Sequence, residues 1–174
     1  FEVNFFGALT PTLPVYRHLR AQGSGRILMS TSAAGLHGVH GMAAYSSSKA
    51  ALIGLMRVIA LEGASHGVAC NAIAPYAATG MTADYLDADS AARMAPERVA
   101  PVASWLMAPD CPLNGETLVA GAGRVRPAAR IEGPGLAFAA DFAPDDLATH
   151  AAALMDLHGW TTFTDGNAAF DQLM

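Results

Sequence analysis

Charge is scarce in this chain. Only 14% of its residues are Asp, Glu, Lys or Arg, and Lys49 is the one lysine among ten basic residues. Fifteen acidic residues outweigh them, the net charge is −5, and no basic block occurs. That balance excludes a nucleic-acid partner gripped by a cationic stripe. Cysteine is nearly missing. Cys70 and Cys111 lie far apart and form no C-x-x-C, which suits a reducing, cytoplasmic setting and makes each a small buried hydrophobe. Long apolar runs are lacking too. The chain is 52% hydrophobic, yet no run reaches the ~18 unbroken apolar residues of a membrane span. The opening residues do not have the charged, apolar, small order of a secretory signal. No repeat stands out beyond a richness in Ala. The 174 residues suffice for one domain with a sizeable core.

The pattern of elements alternates. Residues 4–22 read as a helix, with Phe5, Leu9, Leu13, Tyr16 and Leu19 at helical spacing; Pro11 and Pro14 should kink or split it. Gly23-Ser24-Gly25 ends it, and 26–31 is an apolar run expected to be a buried strand. A loop with Gly35, Gly38 and Gly41 follows. A helix then runs to about Ser65, and 67–74 is a second buried strand, stopped by Pro75. Residues 76–95 form a long connection, with a short helical piece expected near 82–86. Pro96 opens a helix to about Met107, since Pro suits a first helical position. A strand is expected at 116–120, a Gly/Pro-rich surface crossing over 121–142, and a final helix from Pro144 to near Gly159. Helix, strand, helix, strand, helix, strand is the order of parallel βαβ units. Three strands whose faces are both apolar need neighbours. The start at Phe1-Glu2-Val3-Asn4, without Met, gives the expectation that a first half precedes them.

The chemistry centres on Tyr45-Ser46-Ser47-Ser48-Lys49. Four residues apart on a helix, Tyr45 and Lys49 share a face, about 6 Å apart along the axis. An ammonium beside a phenol favours phenolate, bringing a group that ionises near 10 toward the range of a working general acid/base. Alone, such a pair most often packs a ring against a lysine stem. Ser32 changes the weighting. It lies thirteen residues upstream at the end of a strand, where parallel sheets bind ligands and a hydroxyl can meet a substrate oxygen; the ordinary reading is turn-making. Asn4, near a helix start, is most often a cap. Asn71, in a buried strand, must satisfy its amide and should brace a neighbouring loop.

Taken together, Val3-Asn4-Phe5-Phe6-Gly7, the 25–35 segment ending in Ser32-Ala33-Ala34-Gly35, Tyr45-x-x-x-Lys49 and Asn71-Ala72-Ile73-Ala74-Pro75 resemble the short-chain dehydrogenase/reductase family over roughly residues 1–123. Segments 46–63, 71–75, 98–106 and 114–123 are similar to its (3R)-hydroxyacyl-CoA dehydrogenase branch, which includes the dehydrogenase part of peroxisomal multifunctional enzymes. The resemblance implies an α/β fold: the C-terminal half of a doubly wound, Rossmann-like parallel sheet over 1–123, plus a C-terminal extension, 124–174, packing on it. It implies an oxidoreductase that interconverts a secondary alcohol and a ketone on an acyl-CoA or steroid-like substrate, with NAD as cofactor and NADP the alternative. The implied roles are Ser32 on the substrate oxygen, Tyr45 as acid/base, Lys49 on cofactor ribose and on Tyr45, and Asn4 on a relay water. Pro75, Ala77, Ala78 and Thr79 match the segment touching the nicotinamide end. The implied partner is a second copy, as homodimer or homotetramer.

Some features depart from the family. Tyr76 stands where many members have Gly, and Pro11 and Pro14 fall in a helix that commonly helps form the dimer. The Gly-rich nucleotide turn is missing; Gly121-Ala122-Gly123-Arg124 lacks the third Gly and the βαβ unit that such a turn opens. Two other readings stay open: an incomplete, inactive fragment or dimerisation module, and a ketoacyl reductase using NADPH. Met81, Tyr85, Leu86 and Met94 would suit a loop over an apolar substrate. For an anionic CoA, Arg57, Arg93 and Arg98 are available, with nothing to choose among them. His150, His158 and Trp160 have no metal-ligand spacing and read as a solvated face with an anchor.

Overall fold

Four strands lie side by side in chain order: β1 (Gly25–Ser30), β2 (Val68–Tyr76), β3 (Thr117–Gly121) and β4 (Arg124–Ala128). β1 and β3 both run parallel to β2, and β4 returns antiparallel to β3. The structure is a computed structural model and describes residues 1–80 and 86–173. The helices are α1 (Gly7–Gln22), α2 (Ala33–His37), α3 (Ala43–Ala64), α4 (Ala88–Arg93), α5 (Ala100–Leu106), α6 (Pro144–Thr149), α7 (Ala151–Leu154) and α8 (Gly166–Leu173). The chain divides into two units, Phe1–Ala128 and Ala129–Met174. The first takes in β4, a stretch the sequence reading gave to the extension. The α/β architecture with a mostly parallel sheet is the expected one.

β2 is the centre of the first unit. Period two sends Cys70 and Ala72 to one face, where they meet Leu52, Met56, Ile59 and Ala60 of α3. Those four recur at helical spacing, so α3 presents one apolar stripe. Ile73 points the other way, into a second cluster with Leu106, Cys111, Leu118 and Ala120. Burying a side chain such as Leu52 or Met56 contributes about 1.5–3 kcal/mol. Asn71 is buried among them with its amide satisfied: Nδ2 donates to the Leu113 carbonyl at 2.9 Å, and Oδ1 accepts from the Glu116 N–H at 3.0 Å. It braces the turn that enters β3, as its position in a buried strand requires.

Several local expectations are corrected. α1 continues through Pro11 and Pro14; the carbonyls robbed of their donors belong to Gly7 and Thr10, both exposed, where water can serve them. A π-helical turn, Glu2–Phe6, precedes α1, and Asn4 lies inside it rather than capping it. β2 runs on through Pro75 to Tyr76. β1 has already stopped opposite Ile73, so beyond that point β2 has a neighbour on one side only, where Pro is tolerated. The loop after β1 contains α2, capped by Ser32. The helix expected from Pro96 is a 3₁₀ turn, Pro96–Arg98, followed by α5. The piece expected near 82–86 lies mostly outside the described residues; a helix forms at α4, capped by Asp87.

The largest correction is β4. Ala122 and Gly123 both have positive φ, 51° and 72°, the two-residue turn whose twist suits a hairpin. Pro127 sits in β4, which pairs on one side only. In the second unit, the expected helix from Pro144 divides at His150 into α6 and α7, and α8 is additional. Glu132 and Thr161 exchange two backbone hydrogen bonds of 3.0 Å, Phe138 packs on Phe142 and His150, and none of this unit's described residues is buried. No described helix is long and apolar enough to cross a membrane.

Both thiols are free and buried. Burial pushes the Cys70 thiol from an ordinary 9.0 up to about 12. The native state therefore keeps a proton that the unfolded chain loses near 9. Stability should be full below about pH 9 and fall by up to about 1.4 kcal/mol per pH unit above it. Denaturant titrations between neutral and alkaline pH check this. Neither thiol should react with a disulfide reagent at pH 8 until denaturant is added; rapid labelling of the native protein would contradict the packing.

Candidate active site

α3 begins at Ala43, so Tyr45 stands in its first turn and Lys49 one turn on. The Lys49 ammonium lies 5.8 Å from the centre of the Tyr45 ring, on the same side of the helix. It donates to the Ser30 carbonyl at 2.9 Å. The next residue also holds this turn: Thr31, buried, donates through Oγ1 to the Lys49 carbonyl at 2.7 Å. Thr31 is itself fixed to β2 by its N–H, 2.8 Å from the Ile73 carbonyl. Lys49 is thus tied at its head and at its backbone to consecutive residues at the carboxyl end of β1. Ser48, fully buried, donates to the Tyr45 carbonyl at 2.7 Å.

Ser32 follows directly. Its Oγ accepts the Ala34 N–H at 3.1 Å and caps α2. As an acceptor in that bond the hydroxyl keeps its proton for another partner, so the cap leaves it able to donate to a substrate oxygen. α2 lies close on α3 because Gly35 has no side chain. A Cβ there would stand 2.7 Å from the Lys49 carbonyl carbon and 2.8 Å from the Ala50 nitrogen. Asn4, half-buried in the π-helical turn, lines a cavity of about 380 Å³ with Ser30, Lys49, Gly7, Pro11 and Leu52. This polar corner has room for water, which takes roughly 30 Å³ each in the liquid.

The structure brings Tyr45, Lys49 and the end of β1 together, and puts Asn4 and Lys49 on one cavity. Ser32 stands two residues past the Lys49 anchor. Ala77 and Ala78, half-buried, and Thr79, exposed, continue from the carboxyl end of β2 after Pro75. The Ala78 N–H donates to the Met94 carbonyl at 2.7 Å. This edge of a parallel sheet is where ligands collect. Sequence reasoning missed Thr31, Ser48 and Gly35 as positioning residues. The polar run Ser30-Thr31-Ser32 at a strand end was the available signal.

Residues 1–90 match the family model for the short chain dehydrogenase. The chain belongs to that family. It is 35% identical over 158 residues to a short-chain type dehydrogenase/reductase of Mycobacterium tuberculosis, covering 91% of this chain and 55% of that protein. Peroxisomal multifunctional enzyme type 2 of Mus musculus is 39% identical over 122 residues, 70% of this chain and 17% of that one. The full-length structure of peroxisomal multifunctional enzyme type 2 from Drosophila melanogaster matches with a TM-score of 0.89 at 25% identity, over 99% of this chain and 32% of that chain. The chain thus spans about half the length of its mycobacterial relative and less of the multifunctional enzymes.

The tight approach at Gly35 gives a paired prediction. Gly35→Ala forces α2 off the Lys49 turn and should cost about 1–3 kcal/mol in urea unfolding. Gly54→Ala, in the interior of α3 with nothing within 4 Å of the added carbon, should be neutral or stabilise by up to about 1 kcal/mol. Equal effects would show that the helices do not meet as described.

Proposed function

We propose that this chain carries the proton-transfer residues of an NAD(P)-dependent dehydrogenase that interconverts a secondary alcohol and a ketone on a 3-hydroxyacyl-CoA-type substrate. The observation that supports this most is the double attachment of Lys49 to the end of β1 beneath Tyr45. The substrate class rests on the relatives named as multifunctional enzymes of the peroxisome and on the branch resemblance. A steroid-like alcohol and the NADPH-dependent ketoacyl reductase remain the alternatives within the family. The two free thiols suit the cytoplasm, and a second copy is the proposed partner.

The residues present fit one end of a nicotinamide cofactor. Lys49 spends one of its three ammonium donors on Ser30, which leaves two for ribose hydroxyls beside the cavity it lines. Pro75, Ala77, Ala78 and Thr79 would hold the nicotinamide end. When bound, the cofactor supplies the hydride acceptor, and NAD is the preferred form. Every proton step belongs to the chain. Ser32 donates to the substrate oxygen and orients it. Tyr45, as phenolate, takes the hydroxyl proton of the alcohol. The Lys49 charge stabilises that phenolate. Asn4 holds a water in the shared cavity that passes the proton toward solvent. Acid–base help of this kind contributes roughly 10²–10⁴-fold.

A second reading, a module that does not turn over by itself, is favoured by β1, which pairs only with β2 among the described residues. Calorimetric titration of the protein with NADH separates the two: binding supports the dehydrogenase, and no binding supports the module. For the dehydrogenase, Tyr45→Phe should lower kcat at least about 10²-fold with the unfolding curve unchanged. Lys49→Met should lower kcat and raise the KM for cofactor. Near-normal turnover of Tyr45→Phe would refute the assignment.

A further inference from the structure

The end of the β3–β4 hairpin gathers positive charge in a chain whose net charge is −5. Arg124 and Arg126 are two apart on β4, so both leave the same face of the sheet. Arg124 stands opposite Gly121 and Arg126 opposite Val119. On the other side of β3, Gly121 stands beside Tyr76. Tyr76, Met94, Val119, Gly121 and both arginines line one cavity of about 290 Å³. A third guanidinium lies beside the hairpin turn: Nη1 of Arg98 is 3.6 Å from where a Cβ on Gly123 would be. Among the described residues none of these three groups has a hydrogen bond or ion pair, and no carboxylate lines the cavity.

Two guanidinium groups on one cavity, with no counter-ion among the described residues, repel one another, and an anion shared between them removes that cost. Guanidinium forks match phosphate oxygens in pairs. Tyr76, which lines the same cavity, is an exposed residue, and an aromatic face stacks on any base. Phosphates with a base beside them describe a nucleotide.

The position on the sheet limits which nucleotide. Ser30, the anchor of Lys49, is level with Ile73, Leu118 and Pro127 across the four strands. Arg124 lies three residues further along and three strands over, about 10 Å along the strands and about 14 Å across them, so about 17 Å away. A thioester arm of about twelve bonds between sulfur and phosphate reaches about 14 Å when extended, at the advance per bond of an extended chain. The gap is measured between backbone positions, and the arm spans all but about 3 Å of it, which an arginine side chain at the phosphate end can bridge.

We propose that the cavity of Tyr76, Arg124 and Arg126, with Arg98 beside the adjoining turn, binds the phosphorylated nucleotide of a thioester carrier and leaves the carrier's arm to deliver an acyl chain toward Tyr45. The proposal rests on the dehydrogenase reading for the far end of the arm. Its test does not, because binding of the unacylated carrier requires no hydride or proton transfer.

The probe is coenzyme A itself, titrated calorimetrically into the protein, with NADH and N-acetylcysteamine as comparison ligands. Wild type should bind coenzyme A, more weakly in about 0.3 M salt than in low salt, and should not bind the phosphate-free thiol. Arg124→Ala/Arg126→Ala should weaken coenzyme A at least tenfold and leave NADH within twofold. Arg124→Lys/Arg126→Lys, which keeps the charge but loses the fork, should fall between. Both arginines are exposed, so packing is untouched, and an unchanged Tm verifies it. The proposal is overturned if wild type does not bind coenzyme A, if the alanine pair binds it as wild type does, or if NADH loses as much affinity as coenzyme A.

Discussion

The ammonium of Lys49 on the Ser30 carbonyl is the contact from which the geometry of this protein follows. A lysine head left loose on a helix visits many rotamers and would meet the phenol one turn away only part of the time. Here the strand end removes that freedom, and Thr31 removes the freedom of the helix backbone as well. The pair Tyr45 and Lys49 is therefore ordered by the sheet, not by α3 alone. Gly35 completes the arrangement by letting the Ser32-capped helix lie against the same turn. One strand end thus places a hydroxyl, a phenol and an ammonium within a short stretch of chain.

That strand end is only as firm as the sheet behind it. β2 is buried on both faces, and its polar Asn71 does not loosen it because both ends of the amide are bonded to the turn entering β3. Asn114 works in the same way from the other side, accepting the Cys70 N–H at 3.0 Å and donating to the Ala60 carbonyl at 3.0 Å. An unsatisfied amide at either place would cost about 1–3 kcal/mol. These two side chains lock helix α3, strand β2 and the β3 turn into one body. The carboxyl edge of the sheet, where Ser32, Pro75 and Gly121 emerge, inherits its order.

The two ends of that edge differ in electrical character. Near β1 a single ammonium donates to a carbonyl and lies beside one phenol ring. Near β4 two guanidinium groups line a cavity that has no acid among its described lining residues, with Arg98 beside the adjoining turn. The first arrangement is the one the proposed proton transfer uses. The second suits holding an anion that does not react. β1, β2 and β3 turn their carboxyl ends to this edge and the antiparallel β4 begins there, which puts both groups on one edge.

Much of this was legible in the residues. Apolar runs flanked by glycine marked β1 to β3, helical spacing marked α1 and α3, and the interval from Ser32 to Tyr45 to Lys49 marked the candidate site, because these depend on local periodicity and on which groups can do chemistry. Other features depend on partners distant in sequence. Pro75 reads as a stop until β1 is seen to end before it, and Pro11 and Pro14 read as breaks until their orphaned carbonyls are seen to face water. Gly121-Ala122-Gly123-Arg124 reads as a surface crossing until its two positive φ angles close a hairpin against β3. Sequence determined the alternation of elements and named the candidate groups. Tertiary structure alone decided which carbonyl holds Lys49 and which arginines share a cavity, because those contacts join residues far apart in the chain, and no local pattern encodes their meeting.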